Sequence, residues 1–158
     1  MYAGFPSGQP QICQEYTRTI RGGSYLTGSD QAGVNARLRS DLASQRSRLF
    51  AIFSQYQSFT QITSDQVCSQ AGTIGSLESV HNNIHVHFAP GHMTPPDVAA
   101  FDPIFWLHHA NVDRQLALHQ ALYPDAYLEP CVAGSSTFTV AAGDVLNADS
   151  RKRLFNVP

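Results

Sequence analysis

Residues 101–124 read FDPIFWLHHANVDRQLALHQALYP, and this stretch decides the fold. It opens with Asp102, whose side chain can accept the free backbone N–H groups of a first helical turn. Pro103 follows, and its missing N–H and fixed φ suit the first helical position. Tyr123 and Pro124 close the segment, so a helix is predicted between these two boundaries.

Working outward, Leu77, Val80, Ile84 and Phe88 recur at the spacing of one helical face, and Pro90 and Gly91 end that run. The loop between the two helices, APGHMTPPDVAAF, cannot be regular, because Pro95 and Pro96 remove two donors and restrict their predecessors. Further upstream, Val34, Leu38, Leu42, Leu49, Ile52, Phe53 and Tyr56 fall at helical spacings between about Asp30 and Phe59. A polar patch around Ser44 to Ser47 leaves one long helix or two shorter ones open. Residues 1–12 are rich in Gly, Pro and Gln without a period, and 136–140 alternate like a short strand. The fold class is therefore mainly α with long irregular loops and little β. A single domain over 1–158 is expected, with an N-terminal arm at 1–29, a helical core at 30–125 and a tail at 126–158.

A chain of 158 residues is long enough to bury a core. With a formal net charge of −2 and no block among its ten Lys and Arg residues, it lacks the clustered basic surface that a phosphate backbone demands. The run Arg151 to Arg153 reads as a solvated turn. No apolar run reaches the roughly 18–20 residues of a membrane span. The N-terminus shows neither a basic nor an apolar leader region, which makes an intracellular, cytoplasmic location the expectation. Cys13, Cys68 and Cys131 are far apart and odd in number, so free thiols are expected, with a Cys13 to Cys68 bridge as the alternative.

All seven histidines lie from His81 onward. On a helix, residues four apart are neighbours, with Cβ atoms about 5–6 Å apart. His81 and His85 can thus offer a ring nitrogen each to one ion at about 2.0–2.1 Å. His108 and His109 are adjacent and point about 100° apart, so one of them can share that ion. His109 is the choice, because Asp113, one turn on, can reach back and orient an imidazole. His87 faces another side of its helix. His92 is read as tying down its loop, with a fourth ligand or proton carrier as the sharper alternative, and His119 as packing. Glu78 and Asn82 flank His81, where a carboxylate can deprotonate a metal-bound water and an amide can fix it. The plain alternative is that Glu78 only complements the helix dipole.

The segments SLESVHNNIH, GHM, AAFDPIFWLHHANVDR and ALYPD together closely resemble the second-metal half of the tyrosinase and haemocyanin-like type 3 copper proteins. The clear likeness covers about 75–125, and a weaker one extends back through TRTIRG and RLFAIFSQYQSF and forward through TFTVAAGDVLNADS. The resemblance implies a helical half-core in which His81, His85 and His109 are metal ligands, and Glu78 and Asn82 hold a water. It also implies that Phe105 packs on a ligand ring and that Val86, Met93 and Pro96 line the substrate entrance.

Oxidases of this family bind two coppers through two histidine trios, and here no histidine precedes His81. Either the other half lies elsewhere or the chain works with one metal. A single site with three histidines and an open position suits a Lewis-acid zinc, which lowers the pKa of bound water to about 7. The fungal cyclopenases, haemocyanin-like enzymes of alkaloid secondary metabolism, convert cyclopenin to viridicatin with zinc. The leading expectation is thus a zinc lyase of that type acting on a small aromatic substrate, with zinc favoured over copper. The alternatives are part of a copper phenol oxidase that needs a missing half, and a binding protein without turnover. A homodimer or a chain carrying the missing half is the expected partner.

Overall fold

The computed structural model describes residues 19–23, 27–64, 74–134, 136, 140–147 and 150. Helix α1 spans Gln31–Gln55, α2 Phe59–Thr63, α3 Leu77–His87 and α4 Pro103–Leu122. A single 3-10 turn, Ala99–Phe101, precedes α4. Strands β1, Cys131–Val132, and β2, Val145–Leu146, pair antiparallel with Cys131 opposite Leu146. The architecture is mainly helical, and none of the described helices is long and apolar enough to cross a membrane.

Helix boundaries follow local chemistry. Asp30 accepts a hydrogen bond from the Gly33 amide at 2.8 Å and so caps α1. The polar patch at 44–47 does not interrupt α1: Ser44, Arg46 and Ser47 face solvent, and the buried Gln45 donates to Asp41 one turn back at 2.6 Å. The apolar pattern does break after Gln55, where Ser58 becomes the cap of the short α2 by accepting from the Gln61 amide. Ser76 and Ser79 cap α3 reciprocally, each hydroxyl taking the other's amide, at 3.3 and 2.9 Å. Asp102 accepts from the Ile104 amide at 2.9 Å, and α4 begins at Pro103 as its sequence implies.

Among the described residues, those up to Ser40 together with Ile84–His108 form one compact unit. Asp41–Asn83 and the residues from His109 onward form a second, and α1, α3 and α4 each run through both. The first unit packs Val34, Phe88 and Met93 with Leu38, Ile84, Ile104 and Phe105. Its segment 19–22 lies along the loop after α3, with Arg21 bridged to Gly91. Arg37, from α1, donates to the carbonyl oxygens of His87 at 2.9 Å and Ala89 at 3.0 Å, satisfying acceptors that the end of α3 leaves open.

The second unit packs Ile52, Tyr56, Ile62, Leu77 and Val80 with Leu49, Phe53, Ile74 and Leu116. Truncating a fully buried isoleucine such as Ile52 to alanine costs about 2–5 kcal/mol. Glu129 fastens the start of α2, accepting from the amides of Phe59 and Thr60 at 3.0 and 2.8 Å and from the Thr60 hydroxyl. Burial alone would raise the Glu129 pKa, but these hydrogen bonds outweigh it and hold the carboxyl below its ordinary range.

The free-thiol expectation fails at Cys131, which is disulfide-bonded. Spacing along the chain carries no information on which cysteines meet in space. Its bonding partner, and the run Arg151 to Arg153, lie outside the described residues, as do 137–139 of the expected strand. Of the expected arm, only 19–23 and 27–29 are described.

Candidate metal centre

Two of the helices bring imidazoles together. Helix α3 carries His81 and His85 one turn apart in sequence, both half-buried. Helix α4 carries His108 and His109 as neighbours, also half-buried.

In the first unit, His85 donates its Nδ1–H to the carbonyl oxygen of Met93. That hydrogen bond fixes the tautomer and leaves the Nε2 lone pair available to a metal. The ring meets Phe105 edge-on at 6.2 Å and His108 at 5.2 Å between centroids. In the second unit, Nε2 of His81 stands 2.9 Å from Nε2 of His109. On its other side, His81 donates Nδ1–H to Oδ1 of Asn82 at 2.9 Å.

These distances allow a test of whether the donors fit a metal. Two imidazole nitrogens bound at right angles, each about 2.0–2.1 Å from one ion, are separated by about 2.9 Å. The His81–His109 spacing equals that span. His81 and His85 also spend Nδ1 on an oxygen acceptor, which turns Nε2 into the coordinating atom. The donor set therefore suits an ion that takes nitrogen ligands.

The remaining candidates fall at various distances from this chemistry. Glu78 is half-buried in the first turn of α3 and accepts from the Ser64 hydroxyl at 2.7 Å. Asn82 is exposed, and its carbonyl oxygen orients His81. Val86, Pro96 and Asp113 are exposed, while the Met93 side chain is fully buried. His87 is half-buried at the end of α3. His92 is buried and its Nδ1 accepts from the Ile20 amide at 2.8 Å. His119 is fully buried, bonded through Nε2 to the Tyr56 carbonyl at 3.1 Å, and packed beside Phe53 and Tyr123.

Sequence reasoning missed three partners of the site. Ser64 on Glu78, Ile20 on His92 and the bidentate Arg21 on Asp102 come from residues distant in the chain. Only the pairing of His85 with His108 had a local signal, since the adjacent histidines face different directions.

Residues 5–122 match the family model described as the common central domain of tyrosinase. A tyrosinase of Podospora anserina is 36% identical over 149 residues, covering 92% of this chain and 26% of the relative. Polyphenol oxidase 4 of Agaricus bisporus is 49% identical over 79 residues, 48% of this chain and 13% of the relative. A structure of mushroom tyrosinase containing latent and active forms superposes with a TM-score of 0.69 at 32% identity, covering 84% of this chain and 35% of that one.

This chain thus spans about a quarter of the length of the Podospora relative. The match takes in the upstream segments TRTIRG and RLFAIFSQYQSF as well as 75–122. These findings overturn the zinc lyase of cyclopenase type, because the relatives are tyrosinases and polyphenol oxidases. The preference for zinc over copper falls with it. Its physical premise was the missing histidine trio before His81. That absence carries no weight in a chain that matches so small a share of its relatives.

Proposed function

The chain belongs to the tyrosinase central-domain family, and from that premise we propose that it forms the second-metal half of a type 3 copper phenol oxidase. His81, His85 and His109 are the residues that would hold one copper ion. A second trio of imidazoles would come from a part of the oxidase outside these 158 residues, which span about a quarter of the Podospora relative's length. The observation that carries this reading is the 2.9 Å spacing of the His81 and His109 Nε2 atoms, with Nδ1 of His81 and of His85 engaged as donors.

Copper, paired with a second copper, supplies the electron exchange that couples phenol oxidation to dioxygen reduction. The chain's own residues prepare that chemistry. The Met93 carbonyl and the Asn82 amide oxygen keep the His85 and His81 imidazoles in the coordinating tautomer. Phe105 packs its ring edge-on to His85 and limits ring rotation. Glu78, steadied by the Ser64 hydroxyl, accepts a proton at its carboxylate from a water or phenolic hydroxyl. Val86 and Pro96, both exposed, offer apolar contact to an aromatic ring.

The test is complementation. Copper-loaded chain alone is expected to leave catechol unoxidised, and adding the histidine-bearing remainder of a fungal tyrosinase domain is expected to restore oxidation. A Glu78→Gln variant then lowers the rate of that mixture by about 10²–10⁴-fold. A mixture that binds two coppers and shows no oxidation would count against the proposal.

A further inference from the structure

We infer that segment 19–22 and His92 form a strap that sets the tautomer and direction of the His85 ring. The inference rests on the proposed reading of His85 as a copper ligand. It adds a positioning residue, His92, that contributes no ligand atom.

The strap is built from reciprocal hydrogen bonds. The Ile20 amide donates to Nδ1 of His92 at 2.8 Å, and the His92 amide donates to the Ile20 carbonyl at 2.9 Å. Backbone and ring of His92 are thereby fixed to one residue. Two residues on, the Gly22 amide donates to the Phe88 carbonyl at 2.9 Å, and Arg21 between them bridges to Gly91. A Cβ at Gly91 would lie 2.3 Å from the Ile20 carbonyl oxygen, so the close approach requires glycine.

The next residue, Met93, is the one whose carbonyl accepts from His85 Nδ1–H. Its side chain is fully buried with Val34 and Phe88, and His92 is itself only 5% exposed. The Met93 carbonyl shares its peptide unit with the Thr94 amide, which donates to the Gly91 carbonyl at 3.2 Å, beside the Arg21 bridge. The strap thus restrains that carbonyl, which decides which nitrogen of His85 carries the proton.

The same segment holds the start of the other histidine-bearing helix. Arg21 donates from Nε and Nη2 to the two oxygens of Asp102, at 2.7 and 2.6 Å, and Asp102 caps α4. His85 and His108, whose rings meet, are thus both referred to residues 19–22. A buried imidazole accepting a backbone amide is a specific choice here. An apolar side chain would fill the space, but it would leave the Ile20 amide buried without a partner.

The experiment uses the whole chain and compares His92→Leu, which removes the acceptor, with His92→Asn, whose Oδ1 replaces Nδ1. Nitrogen-15 NMR of the metal-free protein reads the His85 tautomer, and competition titration with Cu²⁺ alone reads affinity. Wild type and His92→Asn are expected to carry the His85 proton on Nδ1 and to bind Cu²⁺ alike. His92→Leu is expected to mix tautomers and to bind about 10–100-fold more weakly while still folded by circular dichroism. A packing role alone would make the two variants equal, which would overturn the strap. So would a wild-type His85 protonated on Nε2, a result that needs no variant to fold. If wild type takes up no Cu²⁺, the copper reading falls, and the His85 tautomers still decide the strap.

Discussion

Replacing Asp102 with alanine tests how the start of α4 is held. The wild-type carboxylate is fully buried, accepts two N–H bonds from Arg21, and caps the helix through the Ile104 amide. Losing the cap costs about 1 kcal/mol. Removing one member of a buried ion pair costs about 3–5 kcal/mol, because the other charge is left without its partner. The Arg21 side chain is 23% exposed and regains part of its hydration, which brings that contribution to the lower end of the range. Oδ1 serves both roles, so the two losses overlap and the expected total is about 3–4 kcal/mol. For a chain of this size that lowers the melting temperature by roughly 8–12 °C. Urea unfolding followed by far-ultraviolet circular dichroism measures it directly. A double-mutant cycle with Arg21→Ala should return a coupling above about 1 kcal/mol. An Asp102→Ala protein within about 1 kcal/mol of wild type would refute the reasoning, because a buried, charge-paired cap cannot be that cheap to lose.

Other consequences are open to simple assays. With three cysteines and Cys131 in a disulfide, the denatured, unreduced chain should titrate one free thiol, rising to three after reduction. Gly91→Ala should destabilise the fold by about 2 kcal/mol, because its Cβ meets the Ile20 carbonyl; a calorimetric midpoint equal to wild type would contradict this. Glu129 has a folded-state pKa below its ordinary 4.5, so it stabilises above that pH and the contribution is lost as pH falls through the folded value. Wild type should therefore lose stability more steeply than Glu129→Gln in acid, and parallel pH profiles would show that the bonds to Thr60 and Phe59 do not matter.

Periodicity and caps made the helices legible. Leu77 and Val80 are buried where the stripe placed them, and Asp102 with Pro103 starts α4. Those signals are local, lying within one or two turns of the structure they specify. What the sequence could not yield was contact between distant residues. Arg21 and Asp102 are 81 positions apart, and Ile20 and His92 are 72 apart, so no spacing rule links them. The disulfide at Cys131 escaped for the same reason. At the candidate site, helix geometry singled out His81 and His85 and left His108 and His109 to be separated by direction. In the structure His108 faces His85 and His109 faces His81. The choice of zinc failed for a different reason: three imidazoles do not rank copper against zinc, since affinity and availability rank them oppositely.

Metal loading of the whole chain bears most directly on the central claim. Cu²⁺ titration followed by electron paramagnetic resonance should show one copper per chain in a nitrogen-ligated site. That signal should be lost or strongly altered in His81→Ala, His85→Ala and His109→Ala, and retained in His119→Ala wherever that variant folds. Copper that never reaches one equivalent, or a spectrum unchanged by removing His81 or His109, would contradict the assignment of this chain as a copper-holding half of a phenol oxidase.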